Sequence, residues 1–444
     1  MFSSRVPRDL TSNRLAVATA AHQASGRRLL DLTVTNPTVV GFSYPEDLLA
    51  PLAGTGGLAY RPEPFGLPAA RRAVAEDYAR RGISVAEDRV VLTASTSEAY
   101  SVLFKLLCEP AGDDVLVPVP SYPLFDHLTR LDGVTCTAYA LEYHGRWELD
   151  ERSVDREWRD TTRAVLAVSP NNPTGSVLSP AELDALSTRC AERDAALIID
   201  EVFADYLFDS PSPPAPRTAQ PGSRTPDRAP RTAHPAPRTA DRAPRTPDPG
   251  PRTSHPGPRT PDPGPRTPDR APRTPPPGCL TFRLGGLSKS AGLPQVKLGW
   301  IAVDGPDTLV RAALQRLELI CDTYLSVSTP VQVAAPVLIE RGAEIREQIR
   351  TRIAANLTCL RRAAAADPAL ELLNADGGWT AVLRVPARGS EEDLVIDLLE
   401  SRDTLAHPGF FFDFPHEAFL VLSLLPDPGV FAEGTDRILE HLRG

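Results

Sequence analysis

The sequence lacks the residue clusters that mark metal sites and disulfide scaffolds. Its six cysteines stand singly, with no C-x-x-C pair, at Cys108, Cys136, Cys190, Cys279, Cys321 and Cys359. The eight histidines show no H-E-x-x-H spacing. Zinc sites need clustered ligands, and a disulfide scaffold needs a denser set of cysteines. We therefore expect buried or inert thiols and no metal.

Long apolar runs are missing as well. No run approaches the roughly 18 apolar residues needed to cross a bilayer. The first ten residues, MFSSRVPRDL, contain no apolar stretch of signal-peptide type. These features predict a cytoplasmic protein with no membrane partner.

Residues 211–278 differ in composition from the rest of the chain. They hold 23 of the 47 prolines, twelve arginines and five aspartates, and an Arg-Thr pair recurs every seven residues. Proline breaks helices and no apolar seam accompanies the repeat, so we predict a disordered, partly polyproline-II insertion. One hypothesis is that it is a docking tail that binds an acidic partner or an SH3-like module. The favoured alternative is a tolerated expansion of a surface loop, because long loops cost little free energy. The insertion carries a net charge of +7 and the whole chain −9, so the remaining residues carry −16. An acidic body argues against nucleic acid as the main partner.

The remaining residues read as alternating strands and helices. Short apolar runs such as 164–168 and 195–199 are typical of strands covered on both faces, and helical patterns such as 98–108 and 180–193 separate them. This alternation predicts an α/β fold with a mainly parallel sheet. After about residue 305 a long helical stretch leads into what reads as a second, smaller domain.

Four polar clusters follow predicted strands, where α/β proteins bind ligands. Residues 93–99 (TASTSEA) open a helix, so they form an anion site or an ordinary N-cap. Residues 169–175 (SPNNPTG) form a rigid turn. Asp200 ends a buried strand and needs a partner, either a cationic ring nitrogen or a structural arginine. Lys289, in 287–293 (LSKSAGL), is a potential nucleophile with a depressed pKa.

Together these motifs resemble the fold-type-I pyridoxal-phosphate enzymes, specifically the class I/II aminotransferases, over nearly the whole chain apart from the insertion. The resemblance implies a three-layer α/β fold with a mainly parallel seven-stranded sheet plus a smaller α+β domain. The large cofactor domain would span 45–304, interrupted by 211–278, and the small domain would combine 1–44 with 305–444. It also implies pyridoxal 5'-phosphate as cofactor and a homodimer.

The resemblance also assigns roles to individual residues. Lys289 would form the internal aldimine and shuttle a proton, while Asp200 would pair with the pyridinium nitrogen. The other cofactor contacts would be Asn172 at the ring hydroxyl, Tyr122 stacked on the ring, Ser95, Thr96 and Ser97 at the phosphate, and Ser288 and Lys297 beside it. Tyr60 would reach the phosphate of the partner subunit, or it is a packing aromatic. Asn36 and Trp379 would face the substrate, although a turn and core packing explain them equally well.

Four positions depart from the family pattern. Phe203 stands where a tyrosine usually contacts the ring hydroxyl, and Gly286 replaces a phosphate-binding serine. Lys297 replaces an arginine and so keeps the charge without the bidentate fork. Val421 replaces the arginine that clamps the substrate α-carboxylate. Either another cation binds the carboxylate, with Arg384 and Lys105 as candidates, or the substrate has no carboxylate in the usual place.

The leading hypothesis is an aminotransferase that moves an amino group between an amino acid and a 2-oxo acid through a pyridoxamine intermediate. A lyase or eliminase on the same fold is the alternative, because the missing carboxylate arginine at Val421 weakens the usual substrate geometry. A third, non-catalytic hypothesis is a ligand-sensing protein with the Pro/Arg repeat as its docking arm. The presence of Lys289 argues against that third hypothesis.

Overall fold

Strands and helices alternate along the chain in a computed structural model that describes residues 2–208, 278–416 and 418–443. The predicted insertion lies outside these residues, except for Gly278. The strands are β1 Leu30–Asp31, β2 Val90–Thr93, β3 Asp114–Val119, β4 Thr135–Tyr143, β5 Trp147–Leu149, β6 Thr162–Val168, β7 Ala196–Asp200, β8 Thr281–Gly286, β9 Gly299–Asp304, β10 Glu371–Leu372, β11 Thr380–Arg384, β12 Thr404–Leu405, β13 His407–Pro408 and β14 Phe419–Ser423.

Eleven α-helices accompany these strands in the described part of the chain. They are α1 Arg14–Ala24, α2 Pro68–Arg80, α3 Thr96–Leu107, α4 Leu124–Asp132, α5 Glu151–Glu157, α6 Pro180–Glu192, α7 Leu287–Ser290, α8 Asp307–Tyr324, α9 Thr329–Ala365, α10 Glu391–Arg402 and α11 Pro428–Arg443. Within the described ranges, none of them is both long and apolar enough to cross a membrane. Helix α6 begins where the sequence predicts, with Ser179 and Glu182 forming a capping box.

The main sheet has eight strands in the order β2-β9-β8-β7-β6-β3-β4-β5. The pairs from β8 through β4 are parallel, while β9 runs antiparallel to both of its neighbours. The predicted α/β class is confirmed, and the seven predicted strands are all present. The eighth strand, β5, forms a hairpin on β4. The sequence analysis missed it because three residues are too few to produce a periodicity.

Both faces of the main sheet are covered, which explains why its strands are continuously apolar. On one face Ile198 packs in a cluster with Leu103 of α3 and Val310 of α8. On the other face the neighbouring Leu197 packs in a cluster with Leu186 of α6. Because successive side chains of a strand point to opposite faces, a strand buried on both sides needs apolar residues throughout.

A smaller antiparallel sheet, in the order β10-β11-β14-β13, is built from the C-terminal part of the chain. Helix α9 packs against α2 and α11, and Leu420 and Leu422 of β14 share a core cluster with Leu338 of α9. The boundaries of the two predicted domains, at residues 44 and 305, stay a prediction.

Buried ion pairs tie the main sheet to α2 and α9. Arg283 of β8, only 2% exposed, donates to Glu201 at 2.5 Å, and Arg81 lies 3.7 Å from the other oxygen of that carboxylate. Asp205 accepts from Arg346 of α9 at 3.3 Å. Since Glu201 follows β7 directly, the first pair fixes the ends of β7 and β8 relative to each other.

We expect Arg283→Met to lower the free energy of unfolding by about 3–5 kcal/mol, because Glu201 would lose its closest buried partner. Urea denaturation followed by circular dichroism measures this loss. The double variant Glu201→Leu/Arg283→Met should be more stable than Arg283→Met alone, since no uncompensated Glu201 carboxylate remains. A double variant less stable than the single one would contradict the assigned pairing.

Candidate active site

A lysine and a carboxylate meet where β7 and β8 end. The two strands pair in parallel, so Asp200 at the end of β7 lies on the same edge of the sheet as α7, which follows β8 and carries Lys289. Burial lowers the pKa of Lys289 from 10.5 to about 8, and the nearby charge of Asp200 opposes this shift. Burial also raises the pKa of Asp200, while hydrogen bonds from Tyr100 and Val202 lower it.

The lysine amine lies against an aromatic wall. Its Nζ is 4.9 Å from the ring centroid of Trp379 and 5.7 Å from that of Phe203, within the range of cation–π attraction. Tyr206 packs edge-on against Trp379, and its hydroxyl donates to the main-chain carbonyl of Lys289 at 2.5 Å. Tyr206 is therefore committed to holding the lysine backbone and does not replace the hydroxyl that Phe203 lacks.

The two asparagines of the SPNNPTG turn have different environments. Asn171 is 1% exposed and fully engaged: its Oδ1 accepts from Ser121 at 3.1 Å, and its Nδ2 donates to the carbonyl of Pro120 at 2.9 Å. The Oδ1 atom of Asn172 is buried without a hydrogen-bond partner. An orphaned buried acceptor is costly, so Asn172 is the residue free to bind a ligand.

The N-terminus of α3 offers main-chain N–H groups to an anion. Ser95 is the N-cap, and its Oγ accepts from the main-chain N–H of Glu98 at 3.1 Å. Thr96 and Ser97 occupy the first two helical positions, where N–H groups have no intrahelical acceptor and attract phosphate. The carboxylate of Glu98 turns back to accept from the N–H of Ala94 at 2.5 Å.

Two glycines allow close approaches of the main chain, one of them at this helix start. A Cβ on Gly299 would lie 2.8 Å from the main-chain carbon of Ser95 and 3.1 Å from the nitrogen of Thr96. A Cβ on Gly286 would lie 3.1 Å from the carbonyl oxygen of Leu298. The departure at Gly286 therefore has a steric explanation, because the family's serine would be crowded against β9.

The remaining predicted residues are placed as follows. Tyr122 is 43% exposed, and burial, followed by the charge of Asp200, raises its pKa. Ser288 is half-buried beside Lys289, whereas Lys297 is exposed and adopts a left-handed φ of 60°. Tyr60 is 74% exposed and borders a cavity of about 240 Å³.

Asn36 and Trp379 serve structural purposes as well. Asn36 caps a 3-10 turn by accepting from the N–H of Thr38 at 3.0 Å, so the turn explanation holds for its Oδ1. Trp379 is 1% exposed, so most of its ring is core, although one face meets the Lys289 amine.

Val421 is embedded in an apolar environment. It is 1% exposed and clusters with Trp147, Phe412 and Phe419. His407 is its direct partner on β13, but burial lowers the pKa of that imidazole below 6.5, so it is neutral at pH 7 and cannot replace an arginine charge.

The two other cations considered from the sequence are engaged elsewhere. Arg384 pairs with Glu371 at 2.5 Å on the small sheet. Lys105 pairs with Asp132 on α4. Neither is free to clamp a carboxylate beside Lys289.

Comparisons with known proteins agree with this geometry. Residues 47–228 match the family model for aminotransferases of class I and II. Over 428 residues the chain is 25% identical to the alanine aminotransferase of Mycobacterium tuberculosis (strain ATCC 25618 / H37Rv), covering 94% of this chain and 86% of that one. Together these two matches support a class I and II aminotransferase.

Other relatives support the same family and fold. Glutamate–glyoxylate aminotransferase 1 of Arabidopsis thaliana is 31% identical over 186 residues, which cover 39% of each chain. The solved alanine aminotransferase from Pyrococcus furiosus superimposes with a TM-score of 0.79 at 18% identity, with full coverage of both chains. The predictions of a fold-type-I transaminase and of pyridoxal phosphate as its cofactor are confirmed.

The described residues fit that cofactor. The orphaned Oδ1 of Asn172 offers an acceptor to a ring hydroxyl, and the amine of Lys289 offers a nucleophile to an aldehyde. Gly299 packs closely against the start of α3, where main-chain N–H groups suit a phosphate.

None of the sequence motifs points to Tyr100. Tyr100 of α3 donates to Oδ2 of Asp200 at 2.6 Å. A signal for it existed, because a tyrosine on the apolar face of an amphipathic helix needs a buried partner for its hydroxyl. The sequence could not name that partner, which lies 100 residues away.

We expect Lys289 to react with an amine-directed acylating reagent with a midpoint near pH 8. Only the neutral amine is nucleophilic, and burial lowers the pKa of Lys289 from 10.5 to about 8. The chain contains just three lysines, so peptide mass spectrometry of the cofactor-free protein resolves Lys289 across a pH series. A midpoint for Lys289 at or above pH 10.5 would contradict the lowered pKa.

We expect Gly299→Ala to destabilise the fold by about 1–3 kcal/mol and to weaken cofactor binding, because its Cβ overpacks against the start of α3. Urea denaturation and a cofactor titration measure the two effects. Gly389→Ala is the matched control, since a Cβ there meets no heavy atom within 4 Å. Equal behaviour of the two variants would refute the steric argument.

Proposed function

We propose that this chain is a pyridoxal-phosphate-dependent aminotransferase in which Lys289 carries the cofactor and Asp200 supports it. The observation that carries the proposal is the placement of these two groups at the ends of adjacent strands. There, burial lowers the pKa of the Lys289 amine to about 8, and the amine is opposed by a buried carboxylate.

The bound cofactor supplies an aldehyde that condenses with amines and a protonated ring that withdraws electrons from the attached carbon. Asp200 would hold the proton on the ring nitrogen, because a buried carboxylate favours a cationic partner. Asn172 would hydrogen-bond the ring hydroxyl with its otherwise unpaired amide oxygen.

The phosphate would lie at the N-terminus of α3. Ser95, Thr96 and Ser97 offer hydroxyl and main-chain N–H groups there, and the helix dipole favours a negative charge. Ser288 and Lys297 would border this site, and Tyr122 would stack on the ring face.

Lys289 would also act as the general base and acid of the reaction. With its pKa lowered to about 8, about a tenth of the amines are neutral at pH 7, far more than for an ordinary lysine, so the amine can accept a proton from the substrate Cα and return it. Trp379 and Phe203 shield the amine from water on one side.

The substrates would be an amino acid and a 2-oxo acid. The names of the relatives, alanine and glutamate–glyoxylate aminotransferases, favour alanine and glutamate as the first donors to test. The substrate carboxylate must find its contact away from Val421, whose surroundings are apolar, and Asn36 remains a proposed contact. Elimination stays an alternative because Val421 replaces the usual carboxylate-binding arginine.

A homodimer would complete the site. Tyr60 is highly exposed, and nothing prevents it from reaching a neighbouring subunit. An exposed aromatic of this kind is consistent with a role across a subunit boundary. A cytoplasmic location stays a prediction.

The test is an absorption spectrum of the protein loaded with pyridoxal phosphate. We expect a visible band that is absent from Lys289→Ala and retained in Lys105→Ala, whose lysine pairs with Asp132 away from the site. Alanine or glutamate should shift the band to the near-ultraviolet, and pyruvate or 2-oxoglutarate should restore it.

Other outcomes would contradict the proposal in different ways. A visible band that survives in Lys289→Ala would exclude Lys289 as the attachment point. Release of ammonia with a 2-oxo acid product, without reversal, would indicate elimination. A band that no amino acid changes would indicate a ligand sensor.

A further inference from the structure

We infer that Tyr100 is a positioning residue for the cofactor: its hydroxyl fixes the Asp200 carboxylate in the orientation that meets the ring nitrogen. This inference rests on the proposed function, because it concerns the same carboxylate. No cofactor contact is assigned to Tyr100 itself.

The hydrogen bond is short and shielded from solvent. Tyr100 is 3% exposed and Asp200 is 7% exposed, and the phenol oxygen lies 2.6 Å from Oδ2. The tyrosine ring is held between Phe104, at 6.2 Å between centroids, and Phe125, which meets it edge-on at 5.4 Å. The donor therefore has little freedom to move.

Both oxygens of the carboxylate are held from different directions. Oδ1 accepts from the main-chain N–H of Val202 at 3.0 Å, and Oδ2 accepts from Tyr100. Two donors on two oxygens fix the plane of a carboxylate, and each oxygen keeps a further lone pair for a third donor. Val202 is a local partner, whereas Tyr100 comes from α3, the helix that starts at the proposed phosphate site.

Some surroundings of Asp200 raise its pKa and others lower it. Tyr100 and Lys289 lower its pKa, while burial and the neighbouring Glu201 raise it. Burial, and after it the charge of Asp200, raises the pKa of Tyr122. The pKa of Tyr100 is itself raised well above 10 by burial and by Asp200, so it stays protonated and remains a donor. Tyr100 thus favours the ionised carboxylate that a cationic ring nitrogen requires.

The test compares Tyr100→Phe with Tyr139→Phe. Tyr139 is also buried, but its hydroxyl donates to the main-chain carbonyl of Leu166 at 2.9 Å, so its variant loses a hydrogen bond of similar length without touching Asp200. We expect Tyr100→Phe to weaken pyridoxal-phosphate binding by about tenfold, because a hydrogen bond to a charged group is lost. We expect kcat to fall by about tenfold while KM for the donor changes less.

A double-mutant cycle separates positioning from general packing. In an Asp200→Asn background, Tyr100→Phe should change the cofactor Kd by less than about twofold, because the charged acceptor is gone. An undiminished effect in that background, or a Tyr100→Phe Kd within twofold of the unmutated protein, would overturn the inference. If Tyr100→Phe fails to fold, Tyr100→Met in the same cycle gives the same comparison.

The outcome for Tyr100 can be told apart from that of the proposed function. A Lys289-dependent visible band in the unmutated protein supports the proposed function whatever Tyr100→Phe does. The absence of that band overturns both. Tyr139→Phe should bind the cofactor like the unmutated protein, and an equal loss in the two variants would reduce Tyr100 to a packing role.

Discussion

The burial of one carboxylate, that of Asp200, organises the site. An ion in this environment is costly unless donors and a cation compensate it. The chain supplies a main-chain N–H from Val202, a phenol from Tyr100 and the amine of Lys289, each from a different segment. The opposite shifts in the pKa values of Asp200 and Lys289 have the same physical origin, since burial disfavours the charged form of both.

Neighbouring contacts hold the segments that carry Asp200 and Lys289 in place. Glu201 is bound by Arg283 inside the core, so the segments that carry Asp200 and Lys289 are fixed to each other by a buried ion pair. Tyr206 adds a hydrogen bond to the lysine backbone. Neither of these contacts uses the side-chain amine of Lys289.

The departures from the family pattern follow from packing around the same site. Gly286 is explained by the approach of β9, because a larger residue would be crowded against Leu298. Phe203 joins Trp379 in the aromatic wall beside the amine. Val421 belongs to an apolar cluster. At these three positions, a polar side chain of the family pattern is replaced by glycine or by an apolar side chain.

The sequence alone determined the α/β class, the seven longer strands and the family, because apolar runs, turn residues and short motifs are local signals. It also predicted Lys289 and Asp200 as site residues, since Asp200 ends β7 and Lys289 stands three residues after β8. It could not predict the hydrogen bond between Tyr100 and Asp200. Nor could it show that Asn171 is fully hydrogen-bonded while the Asn172 oxygen has no partner. Both features depend on distances between segments that are remote in sequence. It also missed β5, which exists because β4 offers it a partner edge. Tertiary structure decided these features, because hydrogen bonds and burial belong to pairs of residues, whereas a motif belongs to a single stretch of chain.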